Sequence, residues 1–369
     1  MIDGKEVILE YLKRSVEMRV SDIFIGVGRK VTFKIDGTLV AQEGESLTPD
    51  DAGVLISSLY ELAKRPMEKY NDSGDDDFPV TLPGVARFRV NTYRQRSTLA
   101  AIIRVVLFQI PDYRALNIPD AVMNIAKEIN GLALVTGPAG SGKSTTLACV
   151  IDAINKTRNS HIITLEDPIE FLHKDNKSLV SQREIFTDTN SYTDALRAAL
   201  RQSPDIIFLG EMRDHDTVRT AITAAETGHL VISTLHTIGA ANTIDRIIDI
   251  FPPAQQQQIR VQLSISLKVV VTQRLIKNTS GKTIPAFEVM NVNSAIRNIM
   301  REGKTHQINA VIQTSASEGM ISLDSYILTL LKKGDITAET ALTNAVNQEQ
   351  MQHQITALET ANLSLPRLR

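Results

Sequence analysis

Apolar side chains recur at Val7, Ile8, Tyr11, Leu12, Val16 and Met18, a spacing that predicts an amphipathic helix over residues 6–18. "SDIFIGV" and "KVTFKIDG" then alternate apolar and polar positions, as half-buried strands do. A second helix is predicted from Thr48-Pro49, with Thr48 as cap and Pro49 in the first turn. "ARFRVNTYRQRSTLAAIIRVV" reads as two strands joined by a polar turn near residues 94–97. These elements predict a small α+β domain over residues 1–106. The acidic stretch "NDSGDDDF" lacks the ligand spacing of a calcium loop and reads as a solvated turn.

Residues 107–120, with Pro111 and Pro119 and little periodicity, read as a linker. From Gly131 the pattern changes. The apolar runs "LALVT", "HIITL", "DIIFLG" and "HLVISTL" alternate with helical segments, the signature of a parallel sheet covered by helices on both faces. "SYTDALRAALRQ" is one such helix, capped by Ser191, and "DTVRTAITAAETG" is another, ended by Gly228. The predicted fold class is therefore α/β, with a larger core domain over residues 121–346. Beyond Pro252-Pro253 the pattern reads as a helical C-terminal region over about 252–346, broken only by a turn at "NTSGKT". Residues 347–369 are Gln-rich and read as a polar tail, frayed or loosely docked.

Composition narrows the function. Lys and Arg total 40 against 42 Asp and Glu, so bulk attraction to nucleic acid is not expected. The single cysteine, Cys149, excludes an intramolecular disulfide and any zinc site built on several cysteines, and its apolar neighbours predict core packing. No run of 18 apolar residues occurs, and "MIDGKEVILEYLKR" lacks a signal-peptide core, so a soluble, cytoplasmic protein with no transmembrane segment is expected.

Residues 137–145 carry the clearest chemistry. Gly137, Pro138, Ala139, Gly140, Ser141, Gly142, Lys143, Ser144 and Thr145 fit the phosphate-loop pattern G-x-x-x-x-G-K-[ST], following one apolar strand and opening a helix. Glycines let backbone amides approach phosphate, and the helix start adds unpaired N–H groups and partial positive charge. Lys143 is expected to reach the β- and γ-phosphates of ATP, and Ser144 to coordinate Mg²⁺. Hydrolysis also needs a group to activate water. "HIITL" ends in Glu166-Asp167, "IIFLG" ends in Glu211 with Arg213 beyond it, and "LVIST" is flanked by His229 and His236. Ligands bind beyond the carboxyl ends of such strands. Glu166 is the candidate base, Glu211 the candidate acid acting on Mg²⁺ or its water, and the two roles are exchangeable at this level. His229 is the further candidate catalytic group.

In order and spacing, "GPAGSGKST", "TLEDPIEF", "DIIFLGEMR" and "TGHLVISTLHT" resemble the Walker A, Asp box, atypical Walker B and His box of the twitching-motility ATPases. These are retraction motors of type IV pili within the secretion-ATPase superfamily, and the resemblance extends from residue 5 to residue 346. It implies a RecA-like core, a PAS-like N-terminal domain, a homo-hexamer, ATP and Mg²⁺ as ligands, and an inner-membrane pilus platform protein as partner. It also implies paralogous pilus ATPases as further partners and a position at the inner face of the cytoplasmic membrane. Arginines of the N-terminal domain approach the phosphates in this family; the matching positions are Arg89 in "RFRVN" and Arg104 in "AIIRVV". Its retraction members carry an "AIRNLIRE" box, matched by "AIRNIMRE": Ala295, Ile296, Arg297, Asn298, Ile299, Met300, Arg301 and Glu302. The match implies a coupling role for this segment, which has an apolar stripe and is predicted to be a helix ended by Gly303.

Two departures fall away from the hydrolytic residues: "VSDIFI" has Phe24 where the family has histidine, and "GRKVTF" replaces a double proline. They put subfamily and partner contacts in question. An accessory retraction ATPase is one alternative. A pilus-assembly or type II secretion ATPase is another, although those usually carry a tetracysteine insertion that one cysteine cannot supply. A DNA-translocating ring would want a basic, aromatic-rich channel, which 5% aromatics and the absence of tryptophan do not favour.

Overall fold

The computed structural model describes residues 4–35, 37–106 and 110–364. Residues 107–109 of the predicted linker and 365–369 of the predicted tail lie outside them. The chain forms two compact units, Met1–Gln109 with Glu170–Leu172, and Ile110–Ile169 with His173–Arg369.

The first unit opens with helix Gly4–Glu17 and strands β1 (Asp22–Gly26), β2 (Thr32–Ile35) and β3 (Thr38–Ala41). Helices Pro49–Leu62 and Glu68–Ser73 follow, then β4 (Asp75–Leu82), β5 (Ala86–Gln95) and β6 (Thr98–Val106). The antiparallel sheet runs in the order β3-β2-β1-β6-β5-β4. Thr48 caps its helix through a reciprocal box: its hydroxyl accepts from the Asp51 N–H, and the Asp51 carboxylate accepts from the Thr48 N–H. Arg96 and Ser97 both take positive φ (49° and 62°), as the two-residue turn between β5 and β6 requires. Ile8, Leu12, Phe33, Ile56, Leu59 and Phe88 seal the core. The acidic stretch is not a solvated turn. Asp76 is 2% exposed on β4 and carries ion pairs from Arg65 and Lys69, which is how a buried carboxylate is kept ionised.

The second unit contains β7 (Gly131–Thr136), helix Lys143–Thr157, β8 (His161–Glu166), β9 (Leu179–Glu184), helix Tyr192–Ala199 and β10 (Ile206–Leu209). Helix His215–Glu226, β11 (Leu230–Leu235) and helices Ala240–Asp249 and Pro253–Ser266 follow, then β12 (Leu267–Lys277), β13 (Thr283–Asn291) and helix Ser294–Glu302. Strand order is β13-β12-β7-β11-β10-β8-β9, parallel except for β13. Every residue of β7, β10 and β11 is buried, because helices cover both faces. The α/β class is observed.

Two expectations for the C-terminal part are corrected. Residues 252–346 are not wholly helical: β12 joins the parallel core beside β7 and turns back as β13 through the "NTSGKT" hairpin. Val269, Val270 and Val271 are β-branched and pack between layers, which favours strand over helix. The described part of the polar tail is helix Gln348–Ser364 rather than frayed chain. Met351 and Ile355, one turn apart, bury themselves in a cluster with Leu323, Ile327 and Leu330.

Candidate active site

β7 delivers the phosphate loop. Gly137 has φ 143°, and a Cβ there would stand 2.1 Å from the Gln273 carbonyl oxygen, so the close approach of β12 admits only glycine. Gly142, at φ 84°, turns the chain into helix Lys143–Thr157. The loop is tied to β12, since Thr146 donates to Gln273 Oε1 (2.8 Å) and the Thr136 and Thr272 hydroxyls pair at 3.0 Å. The sequence pattern carries no sign of this support, because residues 267–277 read there as part of a helical region. Lys143 is buried and donates to the Gly137 and Pro138 carbonyl oxygens at 2.9 and 3.0 Å, curled over the loop it would share with a phosphate. The Ser141 hydroxyl is sealed from solvent and has no hydrogen-bond partner among the described residues. A glycine cradle, an ammonium and an orphaned hydroxyl at a helix N-terminus fit a nucleotide phosphate.

Strands β10 and β8, beyond β11 in the same sheet, add the carboxylates. Glu166, at the end of β8, is 8% exposed, and its Oε1 accepts from Thr164 Oγ1 at 2.7 Å and Gln182 Nε2 at 3.2 Å. Glu211 follows β10 and pairs with Arg213 at 2.5 Å; its second oxygen lies 3.5 Å from His236 Nε2. Tyr192 stands among them. Its phenol is driven up by burial and then by the negative fields of Glu211, Asp167 and Glu166, which marks the three carboxylates as one electrostatic cluster. In sequence Tyr192 is one residue of the helical stretch "SYTDALRAALRQ", with nothing to mark it as part of a site. Among the described residues no group of three or more His, Cys, Asp or Glu could cage a metal alone. Mg²⁺ takes only one or two protein ligands beside phosphate and water, so it does not call for such a cage.

His229 is corrected as a member of this edge. It precedes β11, where its carbonyl accepts the Gly131 N–H (3.0 Å) and its Nδ1 lies 3.0 Å from the Ala224 carbonyl oxygen. The 6 residues of β11 separate it from the carboxyl edge by about 20 Å. The imidazole at that edge is His236. In the first unit Arg89 and Arg104 face each other across β5 and β6, held by Asp77 and by Asp22 (2.9 Å) respectively. These carboxylates offset the repulsion of directly opposed like charges.

Helix Ser294–Glu302 is capped by Asn293 and ended by Gly303 at φ 71°. Ile296 and Met300 are fully buried, with Ile299 packed beside them. Ala295, Asn298, Arg301 and Glu302 are exposed, whereas Arg297 is half-buried with its Nε sealed and unpartnered among the described residues.

A buried histidine of this unit, His173, gives a stability prediction. Burial pushes the His173 imidazole down to about 4, against the opposing field of Asp152. Below about 6.5 the unfolded chain binds a proton that the folded protein refuses, so stability falls as pH drops from about 6.5 toward 4, by on the order of 3 kcal/mol. Melting at about pH 7.5 and about pH 5 should show this loss, and His173→Gln should shrink it. An unchanged difference would remove His173 as the cause.

Comparison with known proteins agrees with this geometry. The chain matches the type II/IV secretion system protein family over residues 5–361. It is 42% identical over 335 residues to the Pseudomonas aeruginosa "Type IV pilus retractation ATPase PilT", covering 90% of this chain and 96% of that one. It is 44% identical over 306 residues to the Neisseria gonorrhoeae "Twitching motility protein", covering 83% and 81%. A crystal structure of the pilus retraction motor PilT with bound ADP superimposes with a TM-score of 0.87 at 43% identity, covering 94% of this chain and 99% of that one.

Proposed function

The chain belongs to the type II/IV secretion system protein family, and from that premise we propose that it is an ATP-hydrolysing motor driving type IV pilus retraction and twitching motility. The observation that carries the enzymatic reading is the arrival of the phosphate loop, Glu211 and Glu166 at the carboxyl ends of β7, β10 and β8, three strands of one parallel run in the sheet. The identity to retraction ATPases along nearly the whole chain supports the cellular role.

In this reading the loop amides bind the phosphates, and Lys143 exchanges the Gly137 and Pro138 carbonyls for phosphate oxygens. Thr164 and Gln182 fix the plane of the Glu166 carboxylate through Oε1, and Glu166 takes the proton of the attacking water. Ser144 and Glu211 would hold Mg²⁺, which when bound neutralises charge on the phosphates. Arg89 and Arg104 are the proposed arginines that stabilise transition-state charge. The catalytic core is RecA-like and the first unit PAS-like in this account. The working assembly is a homo-hexamer acting on an inner-membrane platform protein, at the inner face of the cytoplasmic membrane, with coupling through helix Ser294–Glu302. Among the described residues no helix is long and apolar enough to cross a membrane.

The purified wild-type protein should hydrolyse ATP, and Lys143→Ala should reduce turnover to background by removing the only ammonium of the phosphate-loop motif. A Lys143→Ala protein as active as wild type would place the activity elsewhere.

A further inference from the structure

β9 does more than complete the sheet. Residues Glu170–Leu172 group with the first unit, so the chain leaves the second unit after Ile169 and re-enters it at His173. Two alternate positions of β9, which share a face, hold both ends of this excursion. Glu184 Oε2 accepts the Ile169 N–H at 3.1 Å, and Gln182 Oε1 accepts the His173 N–H at 2.8 Å. The same Gln182 amide donates through Nε2 to Glu166 Oε1 at 3.2 Å. Thr164, the register partner of Gln182 on β8, donates to that same oxygen. One side chain therefore joins the re-entry point of the excursion to the carboxylate that activates water.

We propose that Gln182 is a positioning residue: it orients Glu166 for proton abstraction and ties that orientation to the placement of the 170–172 excursion. This rests on Glu166 being the base of the proposed ATPase. A shift of the His173 backbone pulls on the amide oxygen of Gln182, and the rigid amide plane carries the shift to Nε2 and Glu166. Glu184, only 7% exposed, holds the other end through the Ile169 N–H. A carboxylate misplaced by a fraction of its hydrogen-bond length loses alignment with the water, an effect that reaches about 10²-fold for misplacements near 1 Å.

Two variants separate positioning from simple structural support. Gln182→Met removes the hydrogen bonds to Glu166 and His173; kcat should fall by about 10- to 100-fold with nucleotide affinity within about twofold of wild type. Amide exchange in peptides covering residues 170–175 should quicken, because the His173 N–H loses its acceptor. Gln182→Glu keeps an acceptor for that N–H but sets a second negative charge beside Glu166. Exchange should stay slow while the acidic limb of the kcat profile moves up by about one pH unit. The role is overturned if Gln182→Met turns over like wild type, if it loses turnover, affinity and thermal stability together, or if the acidic limb in Gln182→Glu does not move. An inactive wild-type protein would remove the functional reading and this role with it. An active wild type beside an unaffected Gln182→Met would overturn the positioning role alone.

Discussion

Glu166→Gln should cut ATPase turnover by about 10²–10⁴-fold and leave nucleotide affinity within about twofold of wild type. The substitution is nearly isosteric. A glutamine carbonyl oxygen can still accept from Thr164 and Gln182, so the packing around β8 and β9 persists while the basic carboxylate is lost. The phosphate contacts lie on a different strand and are untouched, which is why binding should survive. Single-turnover hydrolysis and equilibrium binding of a nucleotide analogue, measured on one preparation, separate the two quantities. Turnover near wild type would pass the role of base to Glu211, whose carboxylate is already engaged by Arg213 and His236.

Arg301→Ala should abolish retraction in cells while ATP hydrolysis stays within about twofold of wild type. Arg301 is exposed and its side chain donates to Asn298 on its own helix, so its removal opens no cavity. Arg297 is a less informative target, because its half-buried stem packs against the protein and its loss combines charge with packing. Met300→Ala supplies the contrast. Met300 is fully buried, and its truncation should cost about 2–5 kcal/mol of stability, lowering ATPase and retraction together. If Arg301→Ala retracts normally, the exposed face of this helix is surface and its apolar stripe is its whole purpose.

Much of this site was legible because its chemistry is written locally. The phosphate loop is one contiguous motif whose glycines answer to backbone geometry at Gly137 and Gly142. Glu166 ends β8 and Glu211 lies just beyond β10, so strand direction alone placed them at one edge. The failures came where a residue's meaning depends on distant chain. His229 and His236 flank the same strand and looked equivalent, yet a strand has two ends and only the second faces the phosphate loop. β12 follows helix Pro253–Ser266 with no glycine or proline between them, so nothing in the local pattern marked the change of period. The valines at 269–271 were the available signal. Tyr192 and Gln182 matter through neighbours on other elements, Tyr192 through Glu166, Asp167 and Glu211, and Gln182 through His173 and Glu166. Periodicity carries no trace of either.

The central claim is that hydrolysis at this site powers retraction of an assembled pilus. It is tested most directly by counting surface pili and measuring twitching in cells whose chromosomal copy carries Glu166→Gln, beside the unmodified parent. The account predicts excess pili and no twitching, because assembly continues while withdrawal stops. Cells without pili, or piliated cells that twitch normally, would contradict it.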